Sequence, residues 1–349
     1  MQPTAYFFLG ANSMNGFHSL YNEFCHPITD TLHIIKSGPG TGKSTFMRRI
    51  GAAAELRGYE VEYILCSGDP HSLDGVYIPD LHTAWVDGTA PHIIEPQSFG
   101  VSGDYVNLGQ FCRTERLRSV QEEIQHLTAA YRQCYQVAYP YLRAAGILLE
   151  NGDRSLSEHS VHRLRKRAQS KIHRELTGCK CHGPQRKRFL RGISAEGVTV
   201  LTDTLETLCT RLCVLESHCG IEQLFFEEMI AELQAPGADA ILCPHPLCPH
   251  RMEAVLLPSQ QLGFVTADLA VGFSQKIRTI HLDAYADGIS KSDYKGRERQ
   301  VHQLLGLGCV HLAQAKALHD DLEQLYRPAL DVDGLNAYTD EVIADLFGQ

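Results

Sequence analysis

The chain has 349 residues, of which 44% are hydrophobic and 21% charged, and its formal net charge is −9. This composition is typical of a globular protein, and the acidic balance argues against nucleic-acid binding through the overall electrostatic field. The length predicts two domains, or three. The N-terminus carries no basic segment, and no apolar run approaches the roughly 20 residues that span a bilayer. We therefore expect a cytoplasmic protein with no membrane partner.

The first chemically informative stretch is a glycine-rich turn between a predicted strand and a predicted helix. The apolar run 32–35 leads into the loop Ser37-Gly38-Pro39-Gly40-Thr41-Gly42-Lys43-Ser44-Thr45. Phe46, Ile50 and Ala54 then follow at helical spacing. A strand, a loop ending in Gly-Lys-Ser and a helix together predict a P-loop.

The residue types in this loop suit the phosphates of a nucleoside triphosphate. Glycines let backbone N–H groups point at phosphate oxygens, and the helix N-terminus adds positive potential. Lys43 would reach the β- and γ-phosphates, and Ser44 would offer its hydroxyl to Mg²⁺. Ser37 stands where glycine is usual, at a position that ends the strand, so we expect the change to be tolerated. The candidate binding residues are Gly38, Pro39, Gly40, Thr41, Gly42, Lys43, Ser44 and Thr45.

Acidic residues near the ends of later strands are candidates for organising Mg²⁺ and water. P-loop enzymes usually place an acid near the metal in this way, and Asp87, before Gly88, is the leading candidate. The alternative is a turn aspartate that caps the next segment. Asp69 and Asp74 could instead position the metal through water or orient the attacking water. The candidate catalytic residues are Lys43, Asp87, Asp69 and Asp74, and the candidate metal ligands are Ser44 and Asp87.

The chain resembles itself at an offset of about 180 residues. The apolar runs of the first half recur in the same order in the second, at 32–35 and 212–215, 61–66 and 238–243, 76–79 and 255–258, and 83–86 and 263–266. This repetition predicts a duplicated domain, with units at 1–180 and 185–349 and a linker at 178–184. We expect the half from about residue 186 onward to fold by itself.

The second copy lacks the phosphate chemistry of the first. On the offset of 180, Glu222, Gln223 and Leu224 stand opposite the glycine, lysine and serine that end the loop. Thr266 stands opposite Asp87, and the other acids of the first copy are also predicted to be missing. We therefore expect the second copy not to bind a nucleoside triphosphate.

Long amphipathic segments follow the strands of each copy. Apolar stripes predict helices over 117–134, with Pro140 kinking or ending the first, then 157–176, 301–325 and 335–347. Strands that alternate with helices imply a parallel sheet with right-handed crossovers and ligands at the carboxyl ends of the strands. The predicted fold is α/β, with duplicated P-loop NTPase-type parallel-sheet domains that each carry an appended helical hairpin.

Two further clusters permit several interpretations. The stretch 163–191 holds eleven Lys or Arg residues and one acid, which is typical of a solvated helix face. It could also be an arginine lid over phosphates, a partner surface or a nucleic-acid contact. The Cys/His spacing of Cys243, His245, Cys248 and His250, and of Cys179, Cys181 and His182, could suggest zinc. Alignment with the first copy favours a loop variant at the first of these clusters.

The motifs resemble those of a bacterial family of tandem P-loop ATPase-like proteins. The likeness rests on the stretches 7–10, 37–45, 66–75 and 87–92, covers nearly the whole chain and is specific in the first half. The resemblance implies a protein that binds or hydrolyses ATP. This chain departs from the family where Ser37 replaces the usual glycine, and where the second loop is degenerate.

The leading hypothesis is a Mg²⁺-dependent ATPase with one active loop. The first alternative is a small-molecule or nucleotide kinase, which needs an acceptor pocket and lid arginines such as those at 163–167. The second is a non-catalytic ATP-dependent switch, in which the degenerate copy reports nucleotide occupancy to a protein partner. The loop sequence alone is compatible with all three.

Overall fold

The apolar runs of the two repeats form two six-stranded sheets, flanked by helices. The computed structural model describes residues 4–26, 28–91, 93–151, 156–176, 185–218, 220–234, 239–285 and 291–348. The strands of the first repeat are β1 (Thr4–Phe8), β2 (Gly10–Ser13), β3 (Gly16–Ser19), β4 (Thr31–Lys36), β5 (Val61–Leu65), β6 (Leu73–Ile78), β7 (Thr83–Asp87) and β8 (Gly103–Asn107). Those of the second are β9 (Gln185–Lys187), β10 (Arg191–Ser194), β11 (Gly197–Val200), β12 (Arg211–Glu216), β13 (Ala240–Pro244), β14 (Met252–Leu257), β15 (Leu262–Thr266) and β16 (Lys276–His281).

Eight helices complete the described part of the chain. Four fall in the first half, as α1 (Lys43–Glu55), α2 (Thr114–Ser119), α3 (Gln121–Glu150) and α4 (Glu158–Leu176). The others are α5 (Thr202–Leu208), α6 (Glu222–Gln234), α7 (Lys291–Tyr326) and α8 (Val332–Phe347). Helix α3 continues through Pro140, so of the two predicted effects of this proline, a kink or a helix end, the helix end was wrong.

The two sheets have the same spatial order, which confirms the duplicated layout. The first is β1-β5-β6-β7-β4-β8, and the second, followed across the sheet in the matching direction, is β9-β13-β14-β15-β12-β16. The conformational details also recur. His82 and Gln261 have φ of 51° and 50°, and Gly16 and Gly197 both have φ of 99°. The duplication therefore extends to unusual turn geometry.

The sheets are mixed, so the predicted parallel sheets were wrong in one strand of each. Strand β6 runs antiparallel to both β5 and β7, and β14 does the same between β13 and β15. The physical reason is connection length. A parallel crossover needs a dozen or more residues, whereas only residues 66–72 and 79–82 join these strands. The first residues of β6 therefore lie at the same sheet edge as the last residues of β4 and β7.

The long helices pack across the repeats and do not form a hairpin on each. Helix α3 packs along α7, α4 of the first half packs on α6 of the second, and α8 packs on α1 of the first. Leu164, Ala168 and Ile172 of α4 belong to the core of the second sheet. Leu335 of α8 belongs to the core of the first sheet. An amphipathic stripe predicts that a face is buried but does not identify what covers it, so the hairpins were predicted incorrectly.

A shared core and a buried ion pair join the two repeats. The backbones of Phe8 and Phe189 exchange two hydrogen bonds of 2.9 Å, and both rings are fully buried in one common cluster. The Arg188 side chain, also fully buried, donates through Nε to Glu62 and through Nη2 to the carbonyl of Phe24 at 2.7 Å. The repeats therefore form one interpenetrating structure.

Candidate functional site

The loop predicted to bind phosphate connects β4 to α1 at the carboxyl edge of the first sheet. Gly40 and Gly42 have φ of 62° and 86°, a backbone conformation that residues with a Cβ atom rarely adopt. Thr41 donates its hydroxyl to the Gly38 carbonyl at 2.7 Å. The hydroxyl of Ser37 is buried and has no hydrogen-bond partner among the described residues. The loop is therefore held in a glycine-dependent conformation with polar groups available to a ligand.

Lys43 and Asp87 meet across this loop. Lys43 Nζ donates to the Gly38 carbonyl at 2.7 Å and lies 3.5 Å from Asp87 Oδ2. Asp87 ends β7, directly beside Ile35 of β4, and its Oδ1 accepts from the Thr89 backbone N–H at 2.8 Å. Both side chains are largely buried. Two strand ends therefore bring together the lysine and the carboxylate that sequence analysis assigned to phosphate and Mg²⁺.

Ser44 connects the loop to the start of the antiparallel strand. Its Oγ accepts from the backbone N–H of Leu73 at 2.9 Å, so the next residue, Asp74, lies close to the loop. Asp74 is buried, and its Oδ2 accepts from the Tyr21 hydroxyl at 2.8 Å. Burial raises the pKa of Tyr21 well above its ordinary value, and the phenol therefore stays protonated as a donor.

Asp69 has a different environment from the other two acids. It lies in the connection between β5 and β6, where it accepts from the His71 backbone N–H at 3.2 Å and the Ser72 hydroxyl at 3.2 Å. Lys316 Nζ of α7 lies 3.3 Å from Asp69 Oδ2. Asp69 is thus more exposed than Asp74 or Asp87 and already paired with a cation.

A cleft of about 1000 Å³ lies over the loop. The loop residues from Pro39 to Thr45, together with Asp69, Asp74 and Asp87, form one side of it. Helices α3 and α7 form the other side and contribute aromatic and basic side chains. These side chains are Tyr131, Arg132, Tyr135, Tyr139, Lys316 and His319. They were missed because their distance in sequence from the loop leaves no local signal.

The end of α7 and the start of α8 pack closely against the glycines of the loop. A Cβ atom on Gly38 would come within 2.6 Å of the Tyr326 ring, and one on Gly42 within 2.6 Å of Leu335 Cδ2. A Cβ on Gly40 would come within 2.9 Å of the backbone of Glu323. The second half of the chain therefore contacts the candidate phosphate loop directly.

These contacts predict that Gly40→Ala destabilises the protein more than a glycine substitution strained by backbone conformation alone. Gly58 has φ of 84°, and a Cβ atom added there would meet no described atom within 4 Å, so Gly58→Ala is the matched control. A left-handed alanine costs roughly 1–2 kcal/mol at either position. Gly40→Ala should cost about 1 kcal/mol more, because overpacking adds to the strain. Urea unfolding measures both, and equal losses would show that α7 does not constrain the loop.

The structure shifts the alignment of the two loops by one residue. Helices α1 and α6 begin at Lys43 and Glu222, and five residues precede α6 where six precede α1. Gln223 Oε1 accepts from the N–H of Met252 at 2.7 Å, as Ser44 accepts from the equivalent N–H in the first repeat. Gln223 thus matches Ser44, and Glu222 matches Lys43. The pairing of Gln223 with Lys43 was wrong, because the second loop is one residue shorter.

In the second repeat, two ion pairs occupy the region that corresponds to the edge of the cleft in the first repeat. Arg251 Nη2 lies 3.2 Å from Glu222 Oε1, and Arg191 Nε lies 3.1 Å from Glu253 Oε2. Glu253 is the second residue of β14, as Asp74 is of β6. The expectation that all the acids are missing from the second copy was therefore wrong. Burial raises the pKa of Glu253 to about 8 despite the arginine.

The basic stretch 163–191 is used in contacts outside the cleft. Arg165 Nε pairs with Glu228 at 2.9 Å, Lys171 with Glu175 at 2.8 Å and Lys187 with Glu23 at 2.9 Å. Helix α4, which carries the arginines considered as a lid, packs on α6 of the second repeat, and none of its described side chains borders the cleft. The cations that border it come from α1, α3, α7 and the turn after α7.

The Cys and His side chains of the segment 243–250 make separate contacts. His250 pairs with Glu150 at 2.9 Å, and the His245 ring accepts from the Leu247 N–H at 3.1 Å. Within the described residues, no group of three or more His, Cys, Asp or Glu side chains has a metal-holding arrangement. Cys179, Cys181, His182 and the linker at 178–184 lie outside the described residues, as does His92 of the stretch 87–92.

No protein family, curated protein or solved structure matches this chain. Among its described helices, none is both long enough and apolar enough to cross a membrane. The geometry of the cleft therefore carries the functional argument.

Proposed function

We propose that the first repeat binds ATP with Mg²⁺ in the cleft and hydrolyses it, as a Mg²⁺-dependent ATPase with one nucleotide site. The observation that carries this proposal is the meeting of Lys43, Ser44 and Asp87 at the carboxyl edge of the sheet. Two separate sequence signals, the loop motif and the acid that ends β7, converge there, on a loop in which Gly40 and Gly42 have positive φ. The duplicated layout also supports the resemblance to tandem P-loop ATPase-like proteins, which stays a proposal.

The residues present fit the ligand. The backbone N–H groups of Gly40 to Thr45 and the N-terminus of α1 would hold the phosphates. Lys43 would move its ammonium from the Gly38 carbonyl to phosphate oxygens, and Ser44 and Asp87 would hold Mg²⁺. Mg²⁺ supplies charge neutralisation on the phosphates when bound. The buried Ser37 hydroxyl, which has no partner among the described residues, would gain a ligand or water partner.

A second candidate function, an ATP-dependent switch, is favoured by one observation. The loop glycines are packed against Tyr326, Glu323 and Leu335 of the second half. A loop that changes conformation on binding phosphate would have to move these side chains, and through them α7 and α8. Binding of ATP with no turnover would favour this function over hydrolysis.

Lys43→Ala should remove most of the stabilisation that ATP gives the folded protein. Ligand at about 100 times its dissociation constant stabilises the native state by roughly 2.7 kcal/mol. Each charge-assisted hydrogen bond from the ammonium contributes roughly 1.5–3 kcal/mol, so its loss weakens binding strongly. Urea unfolding with and without Mg·ATP measures the difference. Lys166→Ala, on the exposed side of α4, is the control, and an unchanged ATP effect in Lys43→Ala would contradict the proposal.

The same proposal fixes the stoichiometry. Glu222 places a carboxylate where phosphate needs a cation, and Arg251 already pairs with it. Isothermal titration of the full chain should therefore give one Mg·ATP per chain. A value of two, reduced only by changes in both repeats, would show that the second repeat also binds nucleotide.

A further inference from the structure

The cleft is larger than the phosphate loop needs. Pockets for one small ligand measure roughly 300–1,000 Å³, and this cleft, at about 1000 Å³, is at the upper limit. Part of its lining is a set of side chains unused by phosphate or Mg²⁺ binding, which we name the acceptor wall. The acceptor wall consists of Asn12, Cys66, Asp74, Tyr135 and Tyr139. It is the region where a second substrate could bind.

The aromatic part of the acceptor wall is rigid. Tyr135 and Tyr139 of the wall continue a row that begins at Tyr131 and recurs every four residues along α3, with successive ring centroids 6.4 and 6.1 Å apart. The Tyr139 hydroxyl donates to Asn12 Oδ1 at 3.1 Å, and Asn12 Nδ2 donates to the Ile193 carbonyl at 2.8 Å. Aromatic faces with a few fixed polar groups are typical of sites that bind small polar molecules.

The polar part of the acceptor wall is next to the loop. The bond from Leu73 N–H to Ser44 Oγ places Asp74 beside the proposed metal ligand, and the Tyr21 hydroxyl fixes its carboxylate. Burial, reinforced by the Asp74 carboxylate, raises the pKa of the Cys66 thiol, and burial likewise raises the pKa of Tyr135. Both groups therefore stay protonated, and the Cys66 thiol donates to the Asp74 carboxylate. The wall presents donors around one buried carboxylate.

The charge distribution favours a neutral ligand at this wall. Of the five side chains that define it, none is cationic and one is a carboxylate. The basic residues that border the cleft are Lys43, Arg48, Arg132, Lys316 and Arg327, which belong to α1, α3, α7 and the turn after α7. A second anionic substrate would meet the Asp74 carboxylate without a compensating cation from the wall.

The second repeat provides a natural comparison. At the position of Asp74 it keeps an acid, Glu253, and pairs it with Arg191 at 3.1 Å. Gly10 occupies the position of Arg191 in the first repeat, where β2 begins as β10 does in the second. A Cβ atom on Gly10 would come within 2.6 Å of the Phe17 ring, which itself borders the cleft. The first repeat therefore has the Phe17 ring beside the position that Arg191 occupies in the second.

We propose that the acceptor wall binds a neutral polyhydroxy molecule of the polyol or sugar class and that the γ-phosphoryl group of ATP is transferred to its hydroxyl. This inference rests on the proposed nucleotide site. The hydroxyl proton passes to the Asp74 carboxylate, and the hydroxyl oxygen forms a bond to the γ-phosphorus. The bond from that phosphorus to the β–γ bridging oxygen breaks, which leaves ADP. Asp74 then releases the proton to solvent, and water in the same place gives hydrolysis.

The experiment uses the full chain with Mg·ATP and, separately, glycerol, ribose or glucose at high concentration. Phosphorus NMR distinguishes a phosphate monoester from inorganic phosphate. We expect monoester with at least one probe, and Asp74→Asn should lower its rate by about 10²-fold or more, since a positioned base contributes roughly 10²–10⁴-fold. Asp80→Asn, just beyond the other end of β6, is the matched control. If inorganic phosphate is the product with all three probes, the proposal that the acceptor wall binds a second substrate is wrong.

A second variant keeps the test decisive if Asp74→Asn folds poorly. Tyr139→Phe keeps the ring but removes the hydroxyl that orients Asn12. It should raise the KM for the acceptor by roughly 2–10-fold, the equivalent of one hydrogen bond, with the Kd for Mg·ATP unchanged. An unchanged KM for the acceptor would contradict the proposal that the acceptor binds at this wall. Failure of the wild-type chain to bind Mg·ATP in isothermal titration would instead refute the proposed nucleotide site.

Discussion

Asp87→Asn is expected to lower Mg²⁺-dependent turnover of ATP by on the order of 10²–10³-fold, the size of the loss when one preorganised electrostatic group is removed. Asparagine has nearly the same shape, and its side-chain oxygen can still accept from the N–H and hydroxyl of Thr89. The turn after β7 should therefore persist. What is lost is the negative charge that would hold Mg²⁺ beside Ser44. Steady-state release of ADP, measured over a Mg²⁺ titration, tests this.

Asp69→Asn is the matched comparison for that measurement. Asp69 is more exposed and is paired with Lys316 of α7 at 3.3 Å, so we expect a smaller effect on turnover. Binding of ATP without metal should be preserved in both variants, because neither carboxylate would contact the nucleotide directly. If Asp69→Asn has the larger effect, the metal-ligand role belongs to Asp69.

The local part of the candidate site could be predicted from sequence. A strand, a loop and a helix contiguous in the chain place Lys43 and Ser44 together through backbone geometry alone. Asp87 could also be predicted, since an acid that ends a strand meets the loop whenever the two strands are neighbours. Here β7 is directly hydrogen-bonded to β4. Their use of ATP and Mg²⁺ stays a prediction.

The antiparallel direction of β6 and β14 follows from the short connections on both sides of each strand. The connection between β6 and β7 spans only residues 79–82, which is too short for a crossover. Strand β6 must therefore run antiparallel to β7. The connection lengths thus indicate that its first residues, which include Asp74, lie at the carboxyl edge of the sheet, where the loop begins.

The helical walls of the cleft could not be predicted in the same way. The tyrosines of α3 and Lys316 of α7 are far from the loop in sequence, and a helical stripe carries no information about its partner. The same limit applies to α4 and α8, which each pack on the sheet of the other repeat. Local patterns therefore determined the elements, whereas the contacts between distant elements determined the site.

Because α4 and α8 each pack on the sheet of the other repeat, separating the two repeats should strongly destabilise the second. The half from about residue 186 onward was expected to fold by itself, but the corresponding fragment 185–349 lacks α4. Leu164 and Ile172 of that helix are buried in the core of the second sheet. Burial of each such side chain contributes roughly 1.5–3 kcal/mol, so the fragment loses about 3–6 kcal/mol of stabilisation. This is a large share of the roughly 5–15 kcal/mol that stabilises a whole domain.

We therefore expect the fragment 185–349 to show no cooperative urea transition. The fragment 156–349, which keeps α4, is the matched comparison, because both fragments lack the first sheet and expose the same shared core. It should retain more helix by circular dichroism and unfold at a higher urea concentration. In the full chain, Leu164→Ala should cost roughly 2–5 kcal/mol, as core truncations do. Equal transitions in the two fragments would mean that α4 contributes nothing to the second repeat, and that the second half is the independent unit that its sequence suggests.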